Sequence, residues 1–163
     1  MTKDELGKLG GDVALAGAIN GKTHRLIARV YFADTDFSGA VYHARYLEFL
    51  ERGRSDLLRC LDVHHTDLLS AEKGPLFWVV RRMDINFNAS ARIDDILRIE
   101  TKVAFVGGAR CQMVQQILRD DDVLIDAEVT AALINEAGKP RRFLPDWKEK
   151  FRLLVDDTAA QRT

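Results

Sequence analysis

The chain has 163 residues, 47% hydrophobic and 30% charged, enough to enclose one hydrophobic core without disulfides or a structural metal. Its 24 Lys and Arg nearly balance 25 Asp and Glu, giving a formal net charge of -1, so neither nucleic acid nor an anionic membrane is expected as the main partner. No apolar run approaches the roughly 18 residues of a membrane span. Cys60 and Cys111 stand far apart without C-x-x-C spacing, each in an apolar pattern. Buried free thiols are therefore expected, with no disulfide and no metal. The opening Met-Thr-Lys-Asp-Glu-Leu lacks the apolar core of a signal peptide, and the expectation is a soluble, cytoplasmic protein.

Residues 1–23 hold short apolar scraps and several glycines with no sustained period, which reads as a flexible N-terminal extension. A single domain is expected over 24–155. It starts with a short β-prone stretch, Leu26 to Phe32. Val41 to Leu61 predicts a helix of about 20 residues, with Tyr46, Leu50, Gly53, Leu57 and Leu61 recurring every three or four positions on one face. Gly53 costs about 1 kcal/mol against alanine in a helix interior, so its place on the buried stripe predicts a sheet pressing close there. Val63 to Leu69 reads as partly helical, and Lys73-Gly74-Pro75 as a turn.

Strands follow. Met83, Ile85 and Phe87 alternate with Asp84, Asn86 and Asn88 at the end of a Phe77–Phe87 strand. Leu97, Ile99, Thr101, Val103 and Phe105 alternate with Arg98, Glu100 and Lys102, and Gly107-Gly108 breaks the run. Cys111–Leu118 is a weaker strand, and Val123, Ile125, Ala127, Val129, Ala131 and Leu133 line one face of a last long strand. Asp146–Leu154 predicts a terminal helix capped by Asp146, with a frayed tail over 156–163. One strand, one long helix and four strands joined by tight turns make an α+β fold, a five-stranded, largely antiparallel sheet with a single central helix on one face. Its open edges are most simply closed by a second copy of the chain.

The richest segment is Tyr31-Phe32-Ala33-Asp34-Thr35-Asp36-Phe37-Ser38-Gly39-Ala40-Val41-Tyr42-His43. Two carboxylates and a glycine turn lead into the start of the long helix, where unpaired N–H groups and the positive end of the helix dipole collect. A substrate carbonyl could be polarised there beside an ionised carboxylate, an arrangement suited to acyl-group hydrolysis.

This segment, with Tyr46-Leu47-Glu48-Phe49, Glu51-Arg52-Gly53-Arg54, Phe77 to Ile85 and the Leu97–Leu133 strands, resembles the hotdog-fold acyl-CoA thioesterases of the 4-hydroxybenzoyl-CoA thioesterase type. Within these it is most similar to the YbgC branch encoded beside the Tol-Pal envelope system. Ala40 is smaller than the branched residue expected there. The resemblance implies a hotdog fold and hydrolysis of an acyl-CoA at a site shared between subunits of a homodimer or homotetramer. It implies no metal and no separate cofactor, coenzyme A being part of substrate and product, and acyl carrier protein stands as an alternative partner.

By the same resemblance Asp36 takes the catalytic carboxylate position, as general base or nucleophile, and His43 is a second candidate that could orient it or assist the leaving thiol. The residue pattern alone leaves His43 equally open to a structural use at the helix start. The backbone N–H groups of Val41 to His43 are expected at the oxyanion with Gly39 letting the backbone come close, Gly39, Val41 and Tyr42 at the substrate, and Arg81 and Arg82 near a coenzyme A phosphate or in a salt bridge. Asp34 reads as a turn or capping acid. Glu48 and Glu51 are reserve acids, expected to pair with Arg52 and Arg54 on a solvated face. His64-His65 has no partner at metal-ligand spacing. Two rivals share the fold: a non-catalytic acyl-thioester binding module, and a dehydratase or hydratase of β-hydroxyacyl thioesters.

Overall fold

The computed structural model describes residues 16–71 and 74–160. Their order is β1 (Ala18–Asn20), β2 (Thr23–Arg29), a 3-10 turn (Phe32–Asp34), α1 (His43–Cys60), α2 (His65–Leu69), β3 (Leu76–Phe87), β4 (Ile96–Val106), β5 (Arg110–Arg119), β6 (Asp122–Asn135), α3 (Pro145–Leu153) and α4 (Asp157–Ala160). The strands form one antiparallel sheet ordered β1-β2-β4-β5-β6-β3, with α1 packed on β2, β4 and β5. The layout is the expected α+β hotdog arrangement.

Among the described residues six strands rather than five make up the sheet. The additional one, β1, comes from residues expected to be flexible extension, and it pairs with β2 through Ala18–Arg25, Ile19–His24 and Asn20–Thr23. Residues 1–15, the rest of that extension, lie outside the described residues. β2 also stops earlier than expected. The Asp34 carboxylate accepts the Tyr31 N–H at 2.8 Å and bends the chain into the 3-10 turn, leaving Phe32 outside the ladder.

On α1 four of the five predicted stripe positions, Tyr46, Leu50, Gly53 and Leu57, are buried, joined by Phe49 and Leu58, while Leu61 is the half-buried C-cap. A Cβ on Gly53 would lie 2.7 Å from the Ile99 side chain and 3.2 Å from Thr101 Oγ1, so the absence of a side chain sets the helix-to-sheet distance. The same close approach admits a polar seam. Fully buried Gln115 donates to the Leu50 carbonyl at 3.0 Å and to Thr101 Oγ1 at 2.9 Å, and its own oxygen accepts from Arg54 at 2.9 Å. Burial depresses the Arg54 guanidinium pKa. Paired in this way, these buried polar groups avoid the roughly 1–3 kcal/mol cost of an unmade hydrogen bond.

Alternation holds along β4 through Leu97, Ile99, Thr101 and Val103, all buried, and then fails. A bulge between Val103 and Phe105 turns Ala104 inward and Phe105 outward, where Arg110 lies over its ring. At the C-terminus Pro145 occupies the first turn of α3 and Leu144 is the N-cap, not Asp146. α3 buries Trp147 and Phe151, and Phe151 stacks with Trp78 and Phe143. The expected frayed tail is ordered over its described part. Asp156 accepts from the Thr158 N–H and hydroxyl and pairs with Lys102 at 3.3 Å, and Ala159 is buried. The Thr158 hydroxyl chiefly, with its N–H and Lys102, pulls the Asp156 carboxyl down to about 2.

Candidate active site

The Asp34–His43 segment is a tight loop held by its own backbone. Asp36 N donates to the Ala40 carbonyl and Gly39 N to the Asp36 carbonyl, each at 3.0 Å, and Gly39 takes φ of 76°, a left-handed value that glycine adopts without strain. Val41 N donates to Ala91 O and Tyr42 N to Asp34 O, each at 2.9 Å, fastening the loop to the segment ahead of β4 and to its own start.

Asp36 is exposed at the tip. Its Oδ1 accepts the Ser38 hydroxyl at 2.6 Å and the Ser38 N–H at 2.8 Å. These two bonds, the hydroxyl first, hold its carboxyl below the ordinary carboxylate value, with a smaller contribution from His43. Asp34 is different. It is buried, caps the 3-10 turn, and lies 4.0 Å from Arg45 Nε, which is the structural use expected of it.

Of the amides expected at the oxyanion, Val41 to His43, that of His43 stays open while the other two are taken. The amides of Val41 and Tyr42 are already spent on Ala91 and Asp34, and Arg45 N donates to Tyr42 O at 2.8 Å. Among the described residues that leaves the N–H groups of His43 and Ala44 as the unpaired donors of the first turn. The His43 ring is exposed, 4.5 Å from the Tyr42 ring and 6.4 Å from Phe87. Below it, buried Tyr46 accepts the Ala91 N–H at 2.8 Å through its hydroxyl.

Arg81 and Arg82 are not brought to this loop within one chain. Both are exposed on β3, where the ladder shifts between Val80 and Arg82. The helix start lies against Phe87, about 20 Å along the strand from Arg81 at roughly 3.3 Å per residue. Beside the glycine turn of the loop stands Arg92, which bridges to Ala40 through the backbone and whose guanidinium lies 3.9 Å from where a Cβ on Gly39 would stand. Neither Arg92 nor Ser38 is singled out by sequence reasoning. Ser38 carried a readable signal, a hydroxyl two residues after an acid.

Glu48 pairs with Arg45 at 2.6 Å, not with Arg52, whose guanidinium lies over Phe49. Glu51 accepts from the Ser55 hydroxyl and makes no ion pair with Arg54 among the described residues. It lines a cavity of about 150 Å³ together with Trp78, Leu57, Met113, Phe151 and His65. Exposed His64 pairs with Asp62 at 3.1 Å. Cys111 is buried as expected, whereas Cys60 is exposed.

Three comparisons place this architecture. Residues 30–151 match the model of the thioesterase-like superfamily. The chain belongs to that family. It is 39% identical over 127 residues to the acyl-CoA thioesterase YbgC of Haemophilus influenzae, covering 77% of this chain and 92% of that one. Among solved structures, a probable thioesterase from Bartonella henselae superposes with TM-score 0.72 at 54% identity, covering 75% of this chain and 99% of the other. The 1,4-dihydroxy-2-naphthoyl-CoA thioesterase of Synechocystis gives TM-score 0.73 at 20% identity over 80% of this chain and 96% of that one, which shows the common fold. The chain is thus a hotdog-fold thioesterase. No helix among the described residues is long and apolar enough to cross a membrane.

Proposed function

We propose that the chain hydrolyses an acyl-CoA thioester to a carboxylic acid and coenzyme A, with Asp36 as the activating carboxylate. The observation that carries this reading is the exposed Asp36 carboxylate, kept ionised by Ser38, at a loop feeding a helix whose first free amides belong to His43 and Ala44. Asp36 would take a proton from water or attack the thioester carbonyl itself. The amides of His43 and Ala44 would hold the developing oxyanion, and the thiolate leaves without an obligatory acid. His43 stands at the same rim to orient the water or the leaving thiol. The relative from Haemophilus influenzae, an acyl-CoA thioesterase by name, supports the substrate class.

A second copy completes the site in this reading. β3 is a twelve-residue edge strand with Phe77, Val80 and Phe87 exposed, a row of unpaired backbone groups that a partner's β3 would satisfy. Docking at that edge sets Arg81 and Arg82 at the seam, within reach of a coenzyme A phosphate, and makes a homodimer the unit, with a homotetramer as a pair of dimers. No metal or separate cofactor enters the proposed reaction, the cytoplasm is the proposed location, and acyl carrier protein is the alternative donor of the acyl group. A role beside the Tol-Pal system belongs to the same proposal.

One observation favours a second acid: Glu51, about two turns below the helix start, faces the apolar cavity. Thiol release from a panel of acyl-CoAs tests both, with enoyl-CoA hydration run in parallel. Saturable thiol release without water addition is expected, and Glu51→Gln keeps activity within about 10-fold of wild type. A loss above about 10²-fold, the lower end for a general base, would move the acid to Glu51. Tight acyl-CoA binding without turnover would leave a binding module.

A further inference from the structure

His24, Asp56 and Cys60 meet where the C-terminal half of α1 packs on the β1–β2 hairpin, and the Asp36 site uses none of them. His24 is fully buried, with Nε2 2.8 Å from Asp56 Oδ2. Asp56 and Cys60 are four residues apart on one helix, hence on one face, and Cys60 Sγ lies 4.0 Å from Asp56 Oδ2 and 3.6 Å from the Gly17 carbonyl oxygen. The three donor atoms lie within 4.8 Å of one another. Gly17 seals the cluster: its N–H donates to Asp56 Oδ2 at 2.7 Å, and a Cβ there would come within 2.8 Å of both Nε2 and Oδ2.

We propose that His24, Asp56 and Cys60 form a site for a borderline-soft divalent cation of the zinc type, which pins the β1–β2 hairpin to α1. One imidazole nitrogen, one carboxylate oxygen and one thiolate sulfur are the donor types zinc takes in tetrahedral sites. With metal–ligand bonds of about 2.0–2.3 Å, tetrahedral donors stand roughly 3.3–3.6 Å apart. The close His24–Asp56 pair must therefore open and the Asp56–Cys60 pair close, each by about half an ångström, and the His24–Cys60 pair, within 4.8 Å, close by up to about 1.3 Å, changes within reach of side-chain torsions.

Charge balances as well. The thiol gives its proton to solvent, the imidazole binds through Nε2 with its proton on Nδ1, and carboxylate plus thiolate neutralise the dication in a mostly buried place. The Gly17 N–H then acts as an outer-shell donor to the ligating carboxylate. Exposed Cys60 provides the way in, and a water or the Gly17 carbonyl can fill the fourth position. Sequence spacing hides the set, because His24 and Asp56 are 32 residues apart.

The full chain, stripped with a chelator, is titrated with Co(II) as the probe. One equivalent is expected to bind with a thiolate-to-cobalt charge-transfer band that Zn(II) bleaches. Cys60→Ser should remove the band and weaken zinc binding by about 10-fold or more. Zinc should also slow the reaction of Cys60 with a disulfide reagent. Cys111 does not interfere, since its burial pushes the thiol up to about 12. Asp56→Asn, which keeps the shape of the side chain, should weaken binding likewise. Absence of cobalt uptake at micromolar concentration, or a band unchanged in Cys60→Ser, would reduce the cluster to a hydrogen-bonded latch and overturn the proposal.

Discussion

The two ends of α1 are built on opposite terms. At its start, the loop backbone is fastened through the amides of Asp36, Gly39, Val41 and Tyr42 while the side chains of Asp36, Phe37, Tyr42 and His43 stand in the open. Toward its end, Leu57 and Leu58 are sealed under Trp78, Phe143, Trp147 and Phe151 in one continuous core. A rigid backbone with free side chains is what a reaction needs, and a packed aromatic cluster is what holds a helix in register. The difference predicts that substitutions at the start cost rate and substitutions at the end cost stability.

The strongest test of that division is Phe151→Ala. Removing a fully buried ring should destabilise the chain by about 3–5 kcal/mol in denaturant melts, while the folded fraction keeps its turnover per molecule. A large loss of turnover with little change in stability would erase the comparison. Gly53→Ala probes the boundary between the two ends. The gain of about 1 kcal/mol in helix propensity is outweighed by overpacking against Ile99, at about 1–3 kcal/mol, so melting should show a net loss. A stabilised variant would mean that the sheet does not press there.

The smallest effect is also the sharpest. Because Ser38 lowers the Asp36 pKa, wild-type kcat/KM should fall only as pH drops through a value below the ordinary 3.8. Ser38→Ala removes the leading cause of that depression, so the acid limb should move to higher pH with little change at neutrality. An acid limb that stays in place would detach the pH dependence from Asp36.

Much of this contrast was legible in the sequence. The period of Tyr46, Leu50, Gly53 and Leu57 gave the buried face of α1, and the alternation from Leu97 to Val103 gave the core side of β4. Two-residue and four-residue periods are local, so they survive in any fold that buries one face. β1 was not legible, since three residues between glycines carry no period and gain their pairing only from β2. The bulge at Phe105 was hidden for a related reason, as an extra residue leaves no mark on composition.

At the site, sequence placed Asp36, Gly39 and His43 in one loop and included the free amide of His43, but it also counted those of Val41 and Tyr42 as free. Whether Val41 N and Tyr42 N are free depends on the backbones of Ala91 and Asp34, and no side-chain pattern encodes that. Arg92 escaped for the same reason. It is 53 positions beyond Gly39 and meets it only through the bridge between Ala40 and Arg92.

The most direct measurement is the steady-state hydrolysis of an acyl-CoA by Asp36→Asn, with its melting temperature taken alongside. A fall in kcat of about 10²–10⁴-fold at unchanged melting temperature is the predicted result, because an exposed carboxylate bonded only to Ser38 adds little to the fold. Wild-type turnover by the folded variant would contradict the assignment of Asp36 as the activating carboxylate.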